Sequence, residues 1–176
     1  FMKGNGTAVK VIRRRVAANN GTAMFKYDCM RVTAAGVWGL AAAGTGFNGT
    51  AEGASYWDAT INGRRENVYL PAATTYTSTA FDDYGNTDQS FVYITDDAVH
   101  TEFQCQYSAS TPALTDLTKN ANIVAGAGST TTGISGHTLD QTTLNTTADL
   151  DVTIVDFKHN PFNDVTTAAR AKVIVM

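Results

Sequence analysis

The chain has 176 residues and a mass of 18.7 kDa, a length suited to one domain that buries roughly 70% of its unfolded surface. Hydrophobic residues make up 43% of it, which excludes a disordered tail. A net charge of -3 and a pI near 5.5 exclude a general attraction to nucleic acid or an anionic membrane, and no apolar run reaches the length of a membrane-spanning helix.

Thr, Ala and Gly lead the composition, while the Leu, Lys and Glu of surface helices are scarce. Thr fits a pleated surface and resists helix interiors because its branched β-carbon restricts χ1. The reading is therefore mostly β, a single-domain barrel or sandwich of eight to ten short antiparallel strands with little helix, spanning residues 1–176. Phe1–Gly6 carries no apolar core of a secretory signal. Residues 1–17 read as an extended N-terminal arm or strand within the domain. Asn-Gly-Thr-Ala begins at Asn5, Asn20 and Asn48, and a further Asn-Gly is Asn62-Gly63. These read as turns, because both residues tolerate positive φ, rather than as glycosylation sites.

In chain order, Ala8–Ala17 pairs with Ala23–Thr33 as a hairpin closing at Asn19-Asn20-Gly21. In its second arm Phe25, Tyr27 and Cys29 alternate with Lys26 and Asp28, the pattern of a half-buried strand. Gly36–Ala43 is a small-residue strand, and Asn62-Gly63 joins Tyr56–Ile61 to Asn67–Leu70. Phe91–Thr95 turns at Asp96-Asp97 and returns as Thr101–Tyr107, with Phe103, Cys105 and Tyr107 on one face. Pro112–Lys119 is one short helix capped by Thr111. Asn122–Ala125 is a short strand. Ser129–Thr147, rich in Thr, Gly and Ser, lies on the surface or on a neighbouring subunit. Leu150, Val152 and Ile154 alternate with polar residues, and Lys172–Met176 is the last strand.

No residue pattern points to catalysis. Gly44-Thr45-Gly46-Phe47-Asn48-Gly49 matches G-x-G-x-x-G, but Thr50-Ala51-Glu52-Gly53 is a poor helix, so a glycine-rich loop is the reading and no cofactor is expected. Gly126-Ala127-Gly128-Ser129-Thr130 lacks the lysine of a phosphate-binding loop. His100, His137 and His159 have no metal-ligand spacing, and the pairs Asp82-Asp83 and Asp96-Asp97 read as solvated turns rather than calcium sites, so no metal is expected. Cys29 and Cys105 read as free, buried thiols, with a disulfide as the alternative. The concentrated charge is Arg13-Arg14-Arg15 with Lys10. It is either a charged edge strand that discourages edge pairing or an arm against an acidic partner. Val9, Lys10, Val11, Ile12, Arg13, Arg14 and Arg15 are accordingly the candidate contact to a partner. Aromatic interleaving is absent in sequence, which disfavours nucleic acid.

From Asn67 to Met176 the local wording occurs in an order that resembles a known family. The run is Tyr69-Leu70-Pro71-Ala72-Ala73-Thr74-Thr75, then Phe91-Val92-Tyr93-Ile94-Thr95-Asp96-Asp97 and Phe103-Gln104-Cys105-Gln106. Asn122-Ile123-Val124 follows, leading into Ser129-Thr130-Thr131-Thr132-Gly133-Ile134-Ser135-Gly136, then Thr138-Leu139-Asp140, Thr146-Thr147-Ala148 and Asn160-Pro161-Phe162-Asn163. This order is similar to that of tailed-bacteriophage head proteins of the capsid decoration, or cement, family. The resemblance implies a non-enzymatic virion protein on the outer capsid surface. It also implies the major capsid protein as partner, self-association as a homotrimer, no cofactor, and no nucleic-acid or membrane partner. The alternative is a phage tail, fibre or carbohydrate-binding adhesin module, with Trp38, Tyr56 and Trp57 lining a groove.

Overall fold

The computed structural model describes residues 10–16, 21–58, 60–72, 90–95, 102–109, 111–158 and 172–176. Among them are eleven strands: β1 (Val11–Arg15), β2 (Cys29–Val32), β3 (Trp38–Leu40), β4 (Gly49–Asp58), β5 (Gly63–Asn67), β6 (Phe91–Thr95), β7 (Phe103–Gln106), β8 (Asn120–Val124), β9 (Thr138–Asn145), β10 (Val152–Phe157) and β11 (Lys172–Val175). They form two antiparallel sheets, consistent with the sandwich form of the mostly-β expectation. The first has the order β1-β6-β4-β2-β3, with β5 also on β4; the second has the order β7-β11-β10-β8-β9.

The ten-residue β4 is the spine of the first sheet. One of its edges takes β6, and the other takes β2 at its start and β5 at its end. Each sheet coils until its outer strands approach. Val16, just after β1, bridges Trp38 of β3, and Tyr107, just after β7, bridges Leu139 of β9. These are isolated bridges, so neither sheet is a closed barrel. The first sheet buries Met30, Leu70, Val92 and Ile94, all essentially inaccessible, around Val16, Trp38 and Tyr56. The second gathers Tyr107, Leu139, Ile154, Val173 and Val175, and its cluster also takes in Cys29 and Ala41 from the first sheet. Each such side chain contributes roughly 1.5–3 kcal/mol on burial.

Several local readings are corrected. The hairpin of residues 8–17 with 23–33 does not form. β1 pairs instead with β6, Val11 opposite Thr95 and Arg15 opposite Phe91. The second arm is interrupted because Tyr27 adopts a left-handed φ of 73° and the Asp28 carboxylate accepts the Phe25 N–H at 2.7 Å. Asp28, read as solvent-facing, is buried. β6 and β7 do not form a hairpin either; they lie in different sheets, β7 pairing with β11. The helix at 112–119 is one 3-10 turn, Leu114–Asp116. Asp116 takes the Ala113 N–H, the Tyr107 hydroxyl and the Lys119 ammonium on its carboxylate, and Thr118 at φ 66° turns the chain away. At Asn62-Gly63 the turn is present, with Asn62 left-handed at φ 47°, but the paired strands are β4 and β5, with Asp58 opposite Gly63. Of the nineteen residues of the Thr-rich stretch, eight form β9, the edge strand of the second sheet, in which Leu139 is the buried residue.

The rest of that stretch is held by glycines. A Cβ on Gly126 would collide with the carbonyl of Gly136, and one on Gly136 with the carbonyl of Ala127, so the two backbones cross at a distance only glycine allows. Gly126→Ala or Gly136→Ala is expected to lower stability by about 1–3 kcal/mol in urea unfolding. Gly21→Ala, whose added carbon meets nothing within 4 Å, is expected to change it by less than about 0.5 kcal/mol.

Candidate functional site

Among the described residues, chemistry-bearing side chains gather at the arginine strand on the edge of the first sheet and at the seam between the sheets. On β1 the period of two divides the arginine run. Arg13 stands opposite Tyr93 and Arg15 opposite Phe91, both arginines exposed. Ile12 and Arg14 stand opposite the core residues Ile94 and Val92. Arg14 is half-buried, its guanidinium 5.7 Å from the Trp38 ring centre. It therefore belongs to the fold and is withdrawn from the partner contact. Val11 and Ile12 are likewise already bonded to β6, so they are not a free arm awaiting a partner strand. Lys10 is exposed, and Val9 lies outside the described residues. Sequence shows no aromatic residues beside the arginines; pairing with β6 supplies them. The Arg13 guanidinium lies 3.6 Å from the centre of the Phe91 ring, and Arg64 of β5 lies 5.4 Å from it. A cation over an aromatic face is attracted by its negative potential, and both guanidiniums lie within the range of that attraction.

At the seam, the segment leading into β2 is sewn to the loop leading into β9. Lys26 N–H donates to the Gly133 carbonyl and Ser135 N–H to the Lys26 carbonyl, both at 2.9 Å. Beside this bridge lie Asp28 and His137, their side chains 2% and 5% exposed. His137 Nδ1 accepts the Cys29 N–H at 3.2 Å. A ring nitrogen that accepts carries no proton, so the neutral ring bears its hydrogen on Nε2, 3.4 Å from Asp28 Oδ1. That contact is electrostatic rather than a hydrogen bond, since Oδ1 has no hydrogen-bond partner. Burial holds the imidazole below the ordinary histidine range, against the pull of the Asp28 charge. Burial likewise pushes the Asp28 carboxyl up, against His137, the Ser135 hydroxyl and the Phe25 N–H.

At the seam lies a partly open pocket of about 260 Å³. Both cysteines line it and both are free thiols. Burial pushes Cys29 far up and Cys105 up to about 12, so neither is a thiolate nucleophile at neutral pH.

A second tie crosses the seam at the glycine-rich loop. Gly44 and Gly46 are left-handed, at φ 70° and 64°. Their N–H groups donate to the Asp151 carboxylate at 3.0 and 2.7 Å, and Ile123 N–H adds a third bond at 2.9 Å. Such a run of backbone donors is an anion cradle, and here the anion is the protein's own side chain. The loop reading holds, with its cradle already filled.

Trp38 and Tyr56 pack in the first sheet's core at 8% and 3% exposure, so they do not line a groove. His100, His159, Asp82, Asp83, Asp96 and Asp97 lie outside the described residues. Among the described residues no cluster of three or more His, Cys, Asp or Glu is placed to hold a metal ion, and no helix is long and apolar enough to cross a membrane. Comparisons with protein-family models, curated proteins and solved structures find no match.

The seam pair gives stability a pH dependence. The folded His137 value lies below its ordinary 6.5. The stability from its neutral form is therefore present above that value and is lost as pH falls through the folded one. Asp28 runs the other way: its folded value lies above 3.8, so its contribution is present below 3.8 and is lost as pH rises through the raised value. His137→Gln is expected to cost about 1–3 kcal/mol near pH 8 by leaving the Cys29 N–H without its acceptor. That deficit should narrow toward pH 5 in urea titrations; a deficit constant across the range would contradict the assignment.

Proposed function

We propose that the chain is a structural virion protein that decorates and stabilises the outer surface of a tailed-phage capsid, bound to the major capsid protein and to further copies of itself as a homotrimer. The ordered resemblance between Asn67 and Met176 supports the class. The observation that carries the contact is the outward pair Arg13 and Arg15, with Lys10, on the edge strand of a sheet. Planar guanidinium forks suit carboxylates on a neighbouring protein, because they bind them bidentately. Phe91 supports Arg13 from beneath, which leaves less side-chain freedom to lose on binding. A protein that binds only the assembled lattice stabilises it by mass action, and repetition around a symmetry axis multiplies weak contacts.

Exposed ion pairs contribute only about 0–1 kcal/mol each, so the test removes two at every subunit. The double variant Arg13→Ala/Arg15→Ala is expected to co-sediment with undecorated capsids less than the wild type at low ionic strength. The gap should close as salt is raised, because wild-type binding is screened too. Arg14→Ala is expected to lower stability without changing occupancy. Wild-type occupancy by the double variant at both salts would remove these arginines from the contact.

A further inference from the structure

The turn between β4 and β5 carries a chemistry that capsid decoration does not use. Asn62-Gly63 closes it, Asn62 exposed and Gly63 half-buried. In an Asn-Gly pair the glycine nitrogen reaches the asparagine side-chain carbonyl carbon readily, because no Cβ stands in the way. A second such pair, Asn48-Gly49, leads into β4; Asn5 and Asn20 lie outside the described residues. The two described pairs are alike in sequence and differ in surroundings.

Asn48 is held on both sides. Its Oδ1 accepts the Val32 N–H at 3.1 Å, and its own N–H donates to the Met30 carbonyl at 2.8 Å. Gly49 is buried, and a Cβ on it would collide with the Thr95 carbonyl oxygen. The main chain there cannot rotate to bring the Gly49 nitrogen onto the Asn48 side chain unless β4 parts from its neighbours. At Asn62 these restraints are missing. Its side chain forms no hydrogen bond among the described residues, and a Cβ on Gly63 would meet nothing nearer than the Ile61 carbonyl oxygen at 3.7 Å.

We propose that Asn62 is a site of spontaneous modification, deamidating through a cyclic imide, and that the fold protects Asn48 from the same reaction. The Gly63 nitrogen bonds to Cγ of Asn62 and gives up its proton to solvent. The Cγ–Nδ2 bond breaks, and the amide nitrogen takes a proton and leaves as ammonia. Water then opens the imide at either carbonyl, giving aspartate or isoaspartate, and no oxidant or reductant takes part. Either product adds a negative charge to the turn flanked by the Asp58–Arg65 pair, which stands at 3.1 Å. Isoaspartate also adds a carbon to the main chain of the turn that sets the β4–β5 register.

The full chain is incubated folded in mildly alkaline buffer and, in parallel, unfolded in guanidinium chloride. Peptide mass spectrometry, with fragmentation to separate Asn48 from Asn62, follows each site. In the folded chain Asn62 is expected to convert at least about tenfold faster than Asn48, which must first lose its hydrogen bonds and packing. Unfolded, the two are expected to convert alike. Ala fits at position 63, since Gly63 is not left-handed and the space is open. Gly63→Ala is expected to slow Asn62 at least about tenfold, because the methyl crowds the attacking nitrogen. The proposal is overturned by Asn48 converting as fast as Asn62 in the folded chain, by Asn62 converting only in the unfolded chain, or by Gly63→Ala leaving the rate at Asn62 unchanged.

Discussion

The fold turns on one buried contact between a carboxylate and an imidazole. Asp28 closes the kink at Tyr27 by accepting the Phe25 N–H, and it faces His137, whose other nitrogen takes the N–H of Cys29. Cys29 opens β2 in the first sheet, and His137 precedes β9 in the second. Removing either side chain leaves a buried polar group without its partner, the costly half of hydrogen-bond energetics. Protonating the imidazole also breaks the link, because Nδ1 cannot both hold a proton and accept one. The loop that carries His137 is folded on itself at the crossing of Gly126 and Gly136, and Gly128 in it packs against Phe25 where a Cβ would not fit.

Asp151 repeats the logic with different chemistry. Asp28 faces an aromatic cation-former, whereas Asp151 accepts two backbone N–H groups from a loop shaped by two left-handed glycines and a third from Ile123 of β8. The two ties fix the seam at which the pocket lies. A hydrophobic seam alone would tolerate sliding, because apolar burial has no direction; hydrogen-bonded carboxylates do not.

Much of the strand content was legible in the sequence. Phe91–Thr95, Asn120–Val124, Val152–Phe157 and Lys172–Val175 all carry dense β-branched or aromatic residues or strict alternation, which require no knowledge of the partner strand. Pairing was not legible, because alternation says which face is buried and nothing about which strand lies alongside. Adjacent runs therefore read as hairpins, whereas β1 pairs across the chain with β6, and β6 and β7 part company into different sheets. Nor was the seam legible. Asp28 alternated correctly for a solvent face, and only the left-handed turn at Tyr27, a residue type that rarely adopts it, inverts the pattern. His137 sat in a stretch whose composition reads as a surface loop. The one available signal was four glycines at 126, 128, 133 and 136, too many for a strand and enough for a close crossing. The arginine run was visible, but its division into two outward and one inward residue needed the register against β6.

The strand order of the second sheet has a consequence for synthesis. β11 stands between β7 and β10 and bonds to both, although it follows them in the chain. Until it emerges from the ribosome, β7 has no ladder partner. Its apolar Phe103 waits without a ladder, tied to earlier strands through the isolated bridge of Tyr107 to Leu139 of β9. The first sheet completes its ladders with β6, much earlier. Vectorial folding therefore leaves a half-built sheet for the interval between Phe157 and Lys172. During that interval the nascent chain is most exposed to mispairing with a neighbour on the same message.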